Sequence, residues 1–474
     1  MVVSRDKTPS AQETVTQMAQ APGLRGRLLV TIGMLILVRL GIYLPLPSID
    51  RAVFANFIKL SQGNNPFLGL LDTFSGGGFS ALGIFALGIL PYINASIILQ
   101  LLTVAVPSLE DLQKNEGEAG RRKISQITRY VALGWALIQS TGLAWWVITS
   151  GSVLVNGLPV AVQKATTSAG FLGLEFLQGG NLVSPVILLP FVLKTMLALT
   201  AGSMFVMWVG ELVTERGIGN GASLLIFINV VSRLPNSFNQ TIQQTRANVE
   251  SGDRNFVAGV IVLTLVFLAM IVAIVFVQEG ARRIPIISAR RQVGRRQYLE
   301  KTSYLPLRLN QGGVMPIIFA SAMLAVPATL ATQFIKNPAF SQFVAGYLRP
   351  GSWLYIVLEV VFILFFSYFY SSLVVNPVDM SQNLKKMGAS VPGIRPGRAT
   401  SEYIERVLNR LTFLGAVFLS IIVLVPTVVE SATPVRTFQG LGATSLLIVV
   451  GVALETAKQV QTYVISQRYE GMVK

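Results

Sequence analysis

Reactive side chains are scarce in this 474-residue chain, which holds no His and no Cys. Thiolate nucleophiles, disulfides, imidazole relays and His- or Cys-ligated metals are thereby excluded. No catalytic constellation, metal or cofactor is expected. The remaining candidates are charges inside apolar runs: Arg39, Lys194, Glu359 and Glu455, with Glu211 at the end of another run. A charge in such a place is costly unless it is paired or functional. Converging at one depth, these groups would make an ion or proton relay; apart, they snorkel or pair between helices. Arg39 and Lys194 have no carboxylate at helical spacing nearby, so both readings stay open. GELVTERGIGNGAS (Gly210–Ser223) superficially has the glycines of a phosphate cradle, but lacks the preceding strand and the following Lys-Ser/Thr. Its glycines at 217, 219 and 221 fit a tight hinge between two helices better.

The elements that must position these residues follow from composition. Mean hydropathy is +0.60, 52% of residues are hydrophobic and 13% are charged, against about 25% charged in soluble domains. Long apolar runs recur without period-two alternation, which defines an all-α membrane protein and excludes a barrel. Ten spans are expected, at about 27–46, 79–105, 129–150, 183–211, 222–234, 257–279, 313–334, 353–375, 411–430 and 440–464. The fifth is short for a bilayer, yet the charge balance requires it. With ten spans, 27 Lys/Arg fall on the side of both termini and 9 on the other, which makes the termini cytoplasmic. Five spans per half imply two halves of opposite topology, although no internal repeat is visible. No cleavable signal peptide is visible, so the first span is expected to remain. The expected organisation is a cytoplasmic tail (1–23), an N-terminal half (24–234), an external connection (235–256), a C-terminal half (257–464) and a second cytoplasmic tail (465–474).

Residues 67–102 have the character of a gate. PFLGLLDTFSGGG is too short and glycine-rich to cross a bilayer, yet Phe67, Leu68, Leu71 and Phe74 are too apolar for a solvated linker. A short re-entrant helix buried against protein fits. The span that follows is expected to kink near Pro91. It carries a polar-tinged stripe (Gly88, Tyr92, Ser96, Gln100) beside an apolar one (Ile89, Ile93, Ile97). Two cytoplasmic loops are larger than topology requires. Residues 280–312 hold three Arg pairs and fit a projecting hairpin; residues 376–410 combine a basic pair with a Pro/Gly-rich turn. Their alternatives are plain inside-positive loops or docking surfaces for a large partner, either phosphate-rich or acidic.

GIFALGILPYINASIILQLL (Gly83–Leu102) and WVGELVTERGIGNGASLLI (Trp208–Ile226) resemble the two signatures of the SecY family, the central subunits of protein-translocation channels, in its bacterial and plastid form. NEGEAGRRKISQ, YLPLRLNQGGVMPIIFAS, NLKKMGASVPGIRPG and GATSLLIVV follow in the family's order. The resemblance implies two pseudo-symmetric inverted halves with a short plug helix at 66–76. It implies a pore ring of Ile89, Ile93, Ile226, Ile318 and Ile448. A lateral gate between spans 2–3 and 7–8 would carry Gln100, Gln139 and Asn310. Arg290, Arg291, Arg295 and Arg296, with Lys385, Lys386 and Arg395, would dock a ribosome or a SecA-type motor ATPase. Small SecE-like and SecG-like membrane subunits, signal peptides and nascent chains are the other implied partners. Translocation of unfolded polypeptides and lateral release of transmembrane segments is the implied function, in the bacterial inner membrane or a thylakoid. An ion-coupled transporter would also use inverted halves and buried charges but leaves the large loops unexplained. An intramembrane enzyme lacks paired catalytic acids.

Overall fold

The computed structural model describes residues 22–46, 54, 72–114, 116–157, 185–250, 254–288, 292–293, 296–297, 302–333, 338–348, 352–432 and 443–473. The first half holds α1 (Pro22–Gly41), α2 (Leu90–Ala105), α3 (Pro107–Lys114), α4 (Gly117–Gly157), α5 (Pro185–Arg216) and α6 (Gly221–Val231). Next come α7 (Leu234–Glu250) and α8 (Arg254–Glu279), then strands β1 (Ala281–Ser288), β2 (Gln292–Val293), β3 (Arg296–Gln297) and β4 (Thr302–Arg308). The remainder is α9 (Met315–Gln333), α10 (Pro338–Tyr347), α11 (Trp353–Val374), α12 (Pro377–Lys386), β5 (Ala389–Ser390), α13 (Arg398–Ala432) and α14 (Ala443–Val473). Apolar runs become helices because only a helix satisfies its backbone groups within one segment away from water. Among the described residues, four stretches are long and apolar enough to cross a membrane: Val192–Arg216, Phe256–Glu279, Trp353–Lys386 and Arg398–Pro426.

The helices pack in a closed circuit. α4 lies on α5, α5 on α6, α6 on α14, α14 on α13, α13 on α11 and α11 on α9; α9 returns to α4 and also touches α2. α1 packs outside α5, and α8 against α13 and α14. The largest core cluster draws residues from α1, α2, α5, α6, α8, α9, α11, α13 and α14. Among the described residues, α6 packs on α14, and α9 on α2 and α4, so helices from early and late in the chain are in contact.

The expected second span is shorter as a helix than the sequence reads. Residues 75–89 form turns, with Gly76, Gly77, Gly88 and Leu82 at positive φ. Helix α2 begins at Leu90 with Ile89 as its N-cap residue. Pro91 thus starts the helix rather than kinking it, because its missing N–H costs nothing in the first turn. Gly88 accordingly lies outside the polar stripe, which reduces to Tyr92, Ser96 and Gln100. Ahead of the helix the turn segment is stitched to the end of α1: the N–H of Ile84 donates to the Leu44 carbonyl at 3.0 Å and that of Leu46 to Leu82 at 3.3 Å. The expected fifth span is an 11-residue helix, α6, about 16 Å long. The connection read at 235–256 is largely the amphipathic helix α7.

The glycine-rich turn between α5 and α6 is a hinge whose conformation can be traced residue by residue. The Asn220 side chain caps α6, its Oδ1 accepting from the N–H of Ala222 at 3.0 Å and of Ser223 at 3.3 Å. Thr214 Oγ1 accepts from the Gly221 N–H at 2.8 Å. Gly219 takes φ +88°, and a Cβ on Gly221 would collide with the Gly210 carbonyl. This contact lets α5 and α6 run backbone against backbone.

Candidate functional site

The five isoleucines read as a ring come from four helices. Ile89 caps α2 and Ile93 follows one turn later; Ile226 sits on α6, Ile318 on α9 and Ile448 on α14. All five belong to the central cluster and none is more than 6% exposed. Apart from the Ile89/Ile93 pair, each comes from a different helix. Ile89 also reaches the hinge, where a Cβ on Gly210 would stand 3.4 Å from its Cδ1. A constriction built of β-branched apolar side chains excludes water and ions when its helices close, and yields when they part.

Of the residues read as a plug, Phe67, Leu68 and Leu71 lie outside the described residues. Phe74 is half-buried against the central cluster. Its neighbours from Asp72 to Gly76 are bound by polar side chains. Arg233 forms an ion pair with the carboxylate of Asp72 and donates Nη1–H to Thr73 Oγ1 at 3.1 Å. Asn229 Nδ2 donates to the Phe74 carbonyl at 2.8 Å, and Arg39 Nη1 donates to the Gly76 carbonyl at 2.9 Å. Arg39 therefore has a carbonyl partner that no helical spacing could indicate, 37 residues away in sequence. Asn229 and Arg233 were not picked out by sequence reasoning. The available signal was an Asp inside the apolar run LLDTF and an Arg just past SLLIFINVVS.

The other charges in apolar runs differ in partners and burial. Glu211 on α5 forms a two-pronged pair with Arg129 on α4, both N···O distances being 3.0 Å. Glu359 is buried in α11, whereas Lys194 and Glu455 are exposed.

Of the three residues read as a lateral gate, Gln100 lies on α2, Gln139 on α4 and Asn310 just before α9. Gln100 on α2 donates Nε2–H to Ser96 at 3.1 Å. The buried Oε1 atoms of Gln100 and of Gln139 on α4 have no hydrogen-bond partner among the described residues. α2 and α4 are the helices that α9 packs against. Asn310 is buried: its Nδ2 donates to the Gly313 carbonyl at 2.7 Å, and its Cα is 3.6 Å from where a Cβ on Gly415 of α13 would lie.

The two large loops form one structure. β1 pairs antiparallel with β4, from Ala281 opposite Arg308 to Ile287 opposite Thr302, and on its other edge with β5. The sheet order β4-β1-β5 thus joins the hairpin expected in 280–312 to the loop at 376–410. A separate apolar core supports them, including Ile284, Leu307, Leu384 and Ile404. Lys385 and Lys386 end α12, exposed. Arg395 is exposed in the turn before α13, its carbonyl accepting from Thr400 Oγ1 at 2.9 Å. Arg296 lies in β3, and Arg290, Arg291 and Arg295 lie outside the described residues.

Comparison with known proteins agrees with this geometry. The family model described as SecY matches residues 83–457. The protein translocase subunit SecY of Synechococcus elongatus is 62% identical over the full length of both chains. That of Synechocystis is 60% identical, again over both full lengths. Among solved structures, a protein-conducting channel superposes with TM-score 0.57 at 14% identity, over 97% of this chain and 94% of its own. A SecY structure, whose plug domain is described as stabilising the closed state and maintaining a membrane seal, gives 0.56 at 15% over the same shares. Sec61 from a canine ribosome–channel complex of the endoplasmic reticulum gives 0.55 at 14%, also over 97% and 94%. At such identities the structures establish a shared fold. The full-length identity and the family match establish more: this chain belongs to the SecY family.

Proposed function

We propose that this chain is the protein-conducting subunit of a translocation channel in the membrane, moving unfolded secretory polypeptides across it and releasing transmembrane segments sideways into it. The observation that carries this reading is that Ile89, Ile93, Ile226, Ile318 and Ile448, from α2, α6, α9 and α14, belong to one buried cluster. A passive pore requires such a seal and no catalytic group. The names of its relatives, translocase subunits, are in accord.

The finer architecture of this proposal is ten spans in two inverted halves, 24–234 and 257–464, joined by 235–256. Residues 66–76 form a plug over the ring. Both termini, 1–23 and 465–474, are cytoplasmic, as the 27-to-9 bias in Lys/Arg requires. The seam of α2 and α4 against α9 is the lateral gate. Its buried amide oxygens on Gln100 and Gln139 lack partners when it is shut, so part of the cost of parting it is already met, and a hydrophobic signal helix can shift the balance. The joined sheet, with Arg290, Arg291, Arg295, Arg296, Lys385, Lys386 and Arg395, docks the source of driving force. A ribosome offers phosphates and a SecA-type motor ATPase offers acidic side chains. SecE-like and SecG-like small subunits complete the channel. The membrane is a bacterial inner membrane or a thylakoid.

The test is reconstitution. Proteoliposomes holding this chain with its small subunits should protect a secretory precursor from added protease once the motor ATPase and ATP are supplied. Accumulation of a small solute or ion gradient in place of precursor protection would support the transporter alternative and overturn the proposal.

A further inference from the structure

The polar groups that the seal does not use gather at the root of the plug. Asp72 is fully buried, and a buried carboxylate is tolerated only with partners. It has them on both oxygens: Oδ2 pairs with Arg233, and Oδ1 accepts from the Ser80 N–H at 2.7 Å. Arg233 reaches Thr73, Asn229 reaches the Phe74 carbonyl and Arg39 reaches the Gly76 carbonyl. Gly76 stands at φ +66°, where a Cβ would lie 2.6 Å from Asn229 Oδ1 and 2.7 Å from Arg39 Nη1. No side chain fits between the clamp and the segment it holds. The donors come from α1 and from α6 with the turn after it, and Asn229 follows the ring residue Ile226 by three positions on the same helix.

We propose that Arg39, Asn229 and Arg233 are gating residues: they form a polar latch on Asp72–Gly76 that holds the root of the plug and sets how strong a signal sequence must be to open the channel. The inference rests on reading residues 66–76 as a plug. Its logic is that of a reversible clasp. Each latched group is a carboxylate, a hydroxyl or a backbone carbonyl that water can satisfy once the segment moves away, so release costs the difference between two hydrogen-bonded states rather than a set of orphaned groups. Because α6 carries both Ile226 and Asn229, a displacement of α6 that widens the ring also withdraws the latch. The plug is then freed by the movement that makes room for a polypeptide.

The test compares Asp72→Asn, Arg233→Gln and the double variant in the reconstituted channel. Resting ion conductance is measured beside export of a precursor whose signal peptide is weakened by an inserted charge. Each single variant should raise both about tenfold, equivalent to ~1.4 kcal/mol. The double variant should do no more than either single, since both remove the same pair. Arg233→Lys should restore most of the seal. The chain has no Cys, so a single Cys at Phe74 reports the plug directly: a water-soluble maleimide should label it faster in Asp72→Asn than in the parent. If Asp72→Asn does not accumulate in the membrane, Asn229→Ala, which leaves every charge in place, is measured in its stead and should show the same two increases. Parent-like conductance and signal selectivity in the variants, or single effects that multiply in the double variant, would overturn the latch. The plug and pore reading fails separately: if the parent neither exports precursor nor contacts it at Ile318, that reading is wrong whatever the latch variants do.

Discussion

Replacing Ile448 with Asn perturbs the ring where it is most completely enclosed. The Ile448 side chain has no solvent exposure, and full burial of an Ile contributes about 1.5–3 kcal/mol. An amide oxygen and NH₂ group placed there without partners would cost about 1–3 kcal/mol more. Both terms favour the state in which position 448 faces a wet pore over the state in which it is sealed. Taking the lower limit of each, the balance between closed and open moves by about 2.5 kcal/mol, or roughly 60-fold in the open fraction. Planar-bilayer recordings of the purified channel read that fraction as resting conductance. The same variant should export precursors with weakened signal peptides. Ile448→Leu conserves volume and polarity and should stay within tenfold of the parent. Resting conductance and signal selectivity that are both unchanged in Ile448→Asn would refute a seal at this position.

The remaining predictions address the hinge, the gate and the docking sheet. Gly221→Ala places a methyl group against the Gly210 carbonyl and should lower thermal stability in detergent, by about 1–3 kcal/mol; an unaltered melting profile would mean that α5 and α6 separate freely. Gln139→Leu removes a buried oxygen that has no partner among the described residues and should stabilise the closed seam by about 1 kcal/mol. Insertion of a marginally hydrophobic signal helix should slow roughly fivefold, and equal or faster insertion would contradict the gate. Arg395→Glu reverses an exposed charge outside any core, so the channel should accumulate normally while motor-driven export stops. Normal export in that variant would remove Arg395 from the docking surface.

Much of the molecule was legible in the sequence because its spans are continuous apolar runs, and such runs have one backbone solution in lipid. The hairpin in 280–312 was legible from the β-branched and aromatic residues between its Arg pairs, and the hinge from its glycines. Less visible was anything that depends on partners distant in the chain. Arg39 had no helical-spacing partner because its acceptor is a backbone carbonyl in a turn. Glu211 read as a stray charge until α4 brought Arg129 to it. The edge pairing of β5 on β1 joins loops about a hundred residues apart; a two-residue strand carries no periodicity to announce it. Pro91 was read as a kink because the run continued through it, whereas positive φ at Leu82 and Gly88 had already taken the upstream residues out of the helix. The same limit hid Asn229 and Arg233, ordinary residues on α6 and its following turn until the Asp72–Gly76 segment is laid across them.

Position-specific crosslinking tests the central claim most directly. Photoreactive side chains are placed at 93 and at 318, on α2 and α9, and a secretory chain is stalled midway through the reconstituted channel. Both positions should crosslink to the stalled chain, and release of the chain should abolish the products. Crosslinks confined to outer-loop positions, with none from 93 or 318, would show that polypeptide does not pass through the isoleucine ring.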